Sequence, residues 1–221
     1  HALVTGLQPA TSYFYAILLD GQTAMARPYP AFTTAPAPGA AGKTRIAFSS
    51  CVGRSGFMTA AIWAEMAART RFDVLLMLGD NHYADTTAPE PQRRAYYDFR
   101  SVLGYAEITR RVPTYAIWDD HDYGPNDSDR TAVGKEISLQ TFQQVWANPS
   151  YGQPDDPGVY FKFSRGEIDF FMLDNRYHRS PNRAPDDGTK TMLGAAQLAW
   201  LKRELLASRA KVKFIASGSE W

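Results

Sequence analysis

Asp73-Val74-Leu75-Leu76-Met77-Leu78-Gly79-Asp80-Asn81-His82-Tyr83 decides the architecture of this chain. An unbroken apolar run closed by Gly-Asp reads as a strand covered on both faces, the pattern of a parallel sheet between layers. Downstream, residues 112–117 are again apolar and run into Trp118-Asp119-Asp120-His121-Asp122-Tyr123-Gly124, with Asn126 just beyond. Upstream, residues 45–50 form a short apolar strand that runs into Cys51. Between these strands, residues 57–69 place Ile62, Trp63, Met66 and Ala67 on one helical face, and residues 91–102 and 135–146 read as helices. Residues 159–163 and 168–173 predict a hairpin about Arg165-Gly166-Glu167, residues 195–208 an amphipathic helix, and residues 212–216 a last strand. Strand–helix alternation of this kind predicts an α/β layered fold.

Residues 1–36 differ in character. The stretch Leu7-x-Pro9-x-Thr11-x-Tyr13 leads into an aromatic strand, Gly21 marks a turn, and Phe32-Thr33-Thr34 is a further strand. The pattern resembles the late strands of a fibronectin III or immunoglobulin-like β-sandwich, where a tyrosine hydroxyl pins the corner before its strand. Residues 37–44 read as a linker, with Pro and Gly concentrated in Ala35-Pro36-Ala37-Pro38-Gly39-Ala40-Ala41-Gly42, and residues 45–221 as the main domain. Opening at His1 in the middle of such a pattern, and stopping at Trp221 after an apolar strand, the sequence is expected to be an internal piece of a longer protein.

Composition excludes several classes. Of 221 residues, 44% are hydrophobic and 21% charged, an ordinary globular balance. Lys plus Arg is 24 against 23 for Asp plus Glu, so no bulk field favours nucleic acid or an anionic membrane. The sequence has no apolar run long enough to cross a bilayer. A single cysteine excludes an intrachain disulfide.

Polar, chemistry-bearing residues collect where strands end. Cys51 follows the first strand, Asp80, Asn81 and Tyr83 the second, and Asp119 to Asn126 the third. Asp174 and Arg176 follow the hairpin, and Ser217-Gly218-Ser219 the last strand. Ligands of open α/β sheets bind beyond the carboxyl ends of strands, so five segments deliver polar groups to one expected edge. Like charges as close as Asp119, Asp120 and Asp122 repel, and a cation or spreading into solvent must offset that repulsion. A metal site is the leading reading. Plainer ones stand beside it: Cys51 as a small buried hydrophobe, Gly79-Asp80 as a turn, Tyr83 as a packed aromatic, and Asp119 to Asp122 as a solvated loop. His82 and His178 read as loop histidines, Arg176 and Arg179 as partners of surface carboxylates, and Gln197, Trp200 and Leu201 as helix packing.

Ser50-Cys51, Leu78-Gly79-Asp80-Asn81-x-Tyr83, Trp118-Asp119-Asp120-His121-Asp122-Tyr123-Gly124-x-Asn126-Asp127, Leu173-Asp174-x-Arg176-Tyr177 and Met192-Leu193-Gly194-x-x-Gln197-x-x-Trp200-Leu201 together resemble the PhoD-like alkaline phosphatases of the calcineurin-like metallophosphoesterase superfamily. The resemblance implies a four-layer α/β/β/α sandwich that hydrolyses phosphate monoesters or diesters, from small molecules or lipid headgroups, at a di- or trinuclear metal centre. It implies Asp80 bridging metals, Cys51 and Tyr83 on Fe3+, and Asn126 with Asp120 on Ca2+. His121 would sit beside the scissile phosphate, Arg176 would neutralise its oxygens, and Asn81 and Asp119 would help bind substrate. An extracytoplasmic location, whether periplasmic, secreted or surface-anchored, follows from the same resemblance. Two departures stand out: Gly53 occupies a position that often holds aspartate, and no late Gly-Asp-x-His motif occurs. Two other functions compete: a metal-independent hydrolase using Cys51 and His121, and a non-catalytic binding module with a structural metal.

Overall fold

The computed structural model describes residues 1–52, 56–69 and 71–220. Gly53 and Ser55, expected beside Cys51 in a polar loop, lie outside the described residues, as does Trp221. The amino-terminal strands are short and antiparallel. β1 (Ser12–Phe14) pairs with β4 (Ala31–Thr33), and β2 (Leu18–Leu19) with β3 (Gln22–Thr23). The Tyr13 hydroxyl accepts the Gln8 backbone N–H at 2.9 Å, closing the corner expected from the Leu-x-Pro-x-Thr-x-Tyr pattern.

Two three-stranded sheets follow. β5 (Ile46–Ser49), β6 (Val74–Leu78) and β7 (Thr114–Ile117) are parallel with β6 central, and Val74 to Met77 are all buried, as their apolar run requires. β8 (Phe161–Arg165) and β9 (Ile168–Met172) form the expected hairpin, and β10 (Val212–Ala216) lies parallel to β9. Along β9 the side chains alternate. Phe170 and Met172 join the core that holds Leu75, Ile117 and Trp118, whereas Phe171 joins Leu173, Tyr160, Trp200 and Leu201 under α6 (Ala195–Ala207). Tyr115 of β7 stacks on Phe163 of β8 with ring centroids 3.9 Å apart, which joins the sheets. On the far side, α1 (Gly56–Arg69), α2 (Pro89–Arg100), α3 (Leu103–Thr109) and α5 (Lys135–Val145) bring Trp63, Tyr96, Phe99, Tyr105, Ile108 and Phe142 into the larger core. Helices, sheet, sheet and helix succeed one another, the α/β/β/α order expected.

Two helices depart from the sequence reading. α3 crosses α1 so closely that a Cβ on Gly104 would lie 2.4 Å from the Ala64 nitrogen. α4 (Asp120–Tyr123) replaces an expected loop, because Asp119 and Asp122 form a reciprocal capping box around its first turn. β8 begins later than expected because the Val159 N–H is held by Asp174 Oδ2 at 2.9 Å rather than by a neighbouring strand.

Candidate metal centre

Parallel pairing brings the carboxyl ends of β5, β6 and β7 to one edge. The ladder runs past the strands: Cys51 N–H reaches Gly79 O at 3.3 Å and Val52 N–H reaches Asp80 O at 3.2 Å. Cys51 and Asp80 therefore sit side by side. Both hold left-handed backbone, φ 54° and 50°, a strain of about 1–3 kcal/mol per residue that surrounding contacts must sustain. That geometry turns their side chains together. The Cys51 thiol donates to Asp80 Oδ2 at 3.6 Å, and the Tyr83 hydroxyl donates to the same oxygen at 3.2 Å. Gly79, with φ 106°, lets the next loop approach: a Cβ there would fall 2.7 Å from the Asp119 Cβ. Asp120 and His121 close the group, with one ligand atom each from Asp80, Asp120 and His121 lying within 4.8 Å of one another.

Electrostatics set Asp80 apart. Its Oδ1 is buried and has no hydrogen-bond partner among the described residues. Burial, then the Asp120 and Asp119 carboxylates, push its acid above the usual carboxylate range. Burial likewise pushes the Cys51 thiol and the Tyr83 phenol up, and the Asp80 charge adds to both shifts. Asp120 behaves differently. Burial pushes it up, but the Asp127 N–H, which reaches its Oδ2 at 2.7 Å, and the charges of Arg176 and His121 hold it below the usual range.

Arg176 is not the surface partner that the plainer reading of the sequence suggested. Its side chain is buried and its fork is taken: Nε donates to Asp119 Oδ1 at 2.6 Å, Nη2 to Ser219 Oγ at 3.1 Å, and Nη1 to Ser128 O at 3.3 Å. Asp120 Oδ1 lies 3.3 Å from Nη2. Asp119 is correspondingly occupied, taking the Arg176 and Ser219 donors while capping α4. Asn81 is fully buried, and its Nδ2 donates to Ile117 O at 3.0 Å, so it faces β7 rather than the open edge where a substrate would bind. Asn126 is exposed and donates to Asp127 Oδ2 at 2.8 Å.

His121 pairs through Nδ1 with Asp85 Oδ1, and its ring lies 4.2 Å from that of Tyr83. Sequence reading passed over Asp85; the available signal was its place two residues after Tyr83 in the same loop. Cys51 is exposed, which overturns its reading as a small buried hydrophobe. His82, read as a loop histidine, is buried against Tyr96 with ring centroids 4.1 Å apart, and burial lowers its pKa to about 4. His178 Nε2 meets Pro157 O at 2.8 Å, and Arg179 Nε donates to Asn182 Oδ1 at 3.0 Å. Gln197 does more than pack: it holds both backbone groups of Asp174, at 2.9 and 2.8 Å. A cavity of about 550 Å³ lies at the opposite, amino-terminal ends of β5 to β7, bordered by Arg45, Asp73 and Val112, apart from this chemistry.

Comparison with known proteins agrees with the geometry. The chain is 26% identical to purple acid phosphatase 23 of Arabidopsis thaliana, over 93% of its own length and 44% of that protein. It is also 26% identical to tartrate-resistant acid phosphatase type 5 of Homo sapiens, over 65% of the chain and 43% of that protein. Among solved structures it superposes on PhoD with a TM-score of 0.77 and 22% identity, covering 96% of this chain and 48% of PhoD. It superposes on purple acid phosphatase PPD1 of yellow lupin (Lupinus luteus) seeds with a TM-score of 0.64 and 16% identity, covering 95% of this chain and 37% of that one. The chain thus spans less than half the length of each of these relatives. No described helix is long and apolar enough to cross a membrane. The PhoD-like phosphatase model matches residues 46–219, and the chain belongs to that family.

Proposed function

We propose that this domain hydrolyses phosphate esters at a polynuclear metal centre built around Asp80. One observation carries the reading: among the described residues, Asp80 Oδ1 is buried without a partner, while Oδ2 receives the thiol and phenol protons of Cys51 and Tyr83. A buried carboxylate in that state, beside Asp119 and Asp120, either holds its proton or is stabilised by a cation, and the thiol and phenol donors at Oδ2 favour the cation. Thiolate and phenolate donors fit Fe3+ at Cys51 and Tyr83, and hard oxygens fit Ca2+ at Asp120 and Asn126, with Asp80 shared between them. When bound, such ions neutralise phosphate charge and acidify a water to the nucleophile.

The remaining work falls to side chains of this chain. Asp85 holds His121 at Nδ1, which leaves Nε2 to give a proton to the departing alkoxide. Arg176 fixes Asp119 and Asp120 in place. Substrates are phosphate monoesters or diesters carried by small molecules or lipid headgroups, met outside the cytoplasm. A metal-independent Cys51–His121 hydrolase is disfavoured, because the thiol donates to an acid and its pKa is raised, the reverse of nucleophile activation.

The test is metal quantification of the purified protein, with hydrolysis of p-nitrophenyl phosphate and bis-p-nitrophenyl phosphate before and after chelation. Asp80→Asn is expected to lose bound metal and about 10²–10³-fold or more in turnover, starting from the range for removal of charge stabilisation at a reacting centre. Full activity of that variant with normal metal content refutes the assignment. Activity that survives chelation but not thiol alkylation points instead to Cys51, and absence of both metal and activity to a binding module.

A further inference from the structure

Asp122 is fully buried, at 1% exposure, and is not among the candidate ligands. Its carboxylate nevertheless joins the two loops that supply them. Oδ1 accepts the Asn81 backbone N–H at 2.9 Å, and Oδ2 accepts the Asp119 backbone N–H at 3.1 Å. Asn81 directly follows Asp80, and Asp119 directly precedes Asp120. One rigid, planar group therefore sets the spacing between the loop after β6 and the loop after β7. We propose that Asp122 is a positioning residue that holds Asp80 against Asp120 at the distance a shared cation requires. This inference rests on the metal-dependent reading given above.

Helix capping alone does not account for the arrangement. The capping box of α4 uses the bond to Asp119, within three residues, whereas the bond to Asn81 spans 41 residues and lies on another strand's loop. The main chain of Asp122 is tied to the helices by a separate contact that does not involve its carboxylate. Gln92, with no exposed surface, donates from Nε2 to the Asp122 carbonyl at 3.0 Å, and also contacts Thr86 O at 2.8 Å and Ser138 Oγ at 3.0 Å. The Asn81 N–H sits at the end of the left-handed pair Gly79 and Asp80, with φ 106° and 50°. Without an acceptor there, a buried N–H is orphaned and the strained turn has nothing to hold it open. Groups that orient metal ligands in this way are worth about 10–100-fold in metal affinity.

The experiment titrates the full chain with Mn2+ alone and follows the loss of the free-ion electron paramagnetic resonance signal. Asp122→Asn keeps one acceptor but presents an NH2 to the other N–H, and is expected to bind Mn2+ about 10–100-fold more weakly. Gln92→Leu is the control for stability, since it removes the support of α2 and leaves both carboxylate bonds. It is expected to lower the unfolding midpoint while keeping Mn2+ affinity within about twofold of wild type, because the first donors are untouched. Wild-type affinity in Asp122→Asn, or an equal loss in Gln92→Leu, overturns the inference. Should Asp122→Asn not fold, Asp122→Glu serves, because its longer arm cannot seat both N–H groups at the present distances. At least about fivefold weaker Mn2+ binding is expected there by the same orienting argument, and unchanged binding overturns it. The two readings fail separately. If wild type takes up no Mn2+, the metal centre falls and Asp122 with it; if wild type binds, Asp80→Asn does not, and Asp122→Asn binds normally, only the Asp122 role falls.

Discussion

Arg176→Lys and Arg176→Ala separate a guanidinium that grips phosphate from one that braces the site. The structure supplies the magnitude. Arg176 Nε and Nη2 lie 2.6 Å and 3.3 Å from Asp119 and Asp120 oxygens, in side chains exposed by only 7% for Arg176, 14% for Asp119 and 9% for Asp120. Solvent screening is weak at that burial, so Arg176→Ala, which strands two neighbouring carboxylates, is expected to destabilise the protein by about 3–5 kcal/mol. Lysine keeps the charge but cannot span Asp119, Ser219 and the Ser128 carbonyl with one nitrogen, so Arg176→Lys is expected to lose about 1.5–3 kcal/mol, the range for one hydrogen bond to a charged group. Urea unfolding of metal-free protein measures both.

The acid limb gives a second check. Asp120 has a folded pKa below its unfolded value, so its contribution to stability is present above the unfolded pKa and is lost as pH falls through the folded one. Removing Arg176 removes one of the causes of that depression. Arg176→Ala should therefore lose less stability on acidification than wild type, and that loss should be complete at a higher pH. Were Arg176→Lys as stable as wild type, with KM for p-nitrophenyl phosphate raised tenfold or more, the guanidinium would be on the substrate and the bracing argument would be refuted.

Other substitutions probe the same edge. In Gly79→Ala, at φ 106°, the new Cβ would meet Asp119 Cβ and N at 2.7 Å, so a loss of about 2–4 kcal/mol by thermal unfolding is expected, together with weaker Mn2+ uptake. An unchanged melting midpoint would mean that the two loops are not in contact. Asp85→Asn weakens the hold on His121 Nδ1, and kcat is expected to fall about 10–100-fold with little change in KM, the signature of a group acting on proton transfer. A rise in KM at constant kcat would place Asp85 on the substrate instead.

Much of the fold was legible because its strands are short, apolar and bounded by turn residues. α3 was not: only seven residues long, it carries Gly104 for the crossing with α1 and leaves Leu103 86% exposed, so no apolar stripe stands out. α4 was missed because Asp-Asp-His-Asp reads as a loop by propensity, although Asp119-x-x-Asp122 was a legible capping pattern. At the site, the strand-end position announced Cys51, Asp80, Asp120 and His121. What sequence could not convey was which carboxylate partners which cation. Arg176 reaches Asp119 across 57 residues and Asp85 reaches His121 across 36, and both pairings exist only once the sheets are packed. The inward turn of Asn81 is of the same kind, being fixed by the Ile117 carbonyl on the neighbouring strand.

That distinction between satisfied and unsatisfied carboxylates also supports placing the proposed cation at Asp80 rather than elsewhere along this acidic edge. Asp174 is as buried as any, yet it accepts the Trp118 indole N–H and the backbone N–H groups of Val159, Arg176 and Tyr177. Asp122 holds two backbone donors, Asp119 has Arg176 and Ser219, and Asp120 has the Asp127 N–H with Arg176 nearby. Each of these carboxylates meets donors that the fold already provides, although burial still pushes the Asp122 acid well above the usual range. Among the described residues, Asp80 has one oxygen with no partner and another whose donors, a thiol and a phenol, are groups that a metal would take over as thiolate and phenolate. Serine or asparagine at this position would remove the like-charge repulsion at no loss of strand or core. A cation at this position would offset the burial and repulsion that push the Asp80 acid up, whereas the Arg176 guanidinium is committed to Asp119 and Asp120.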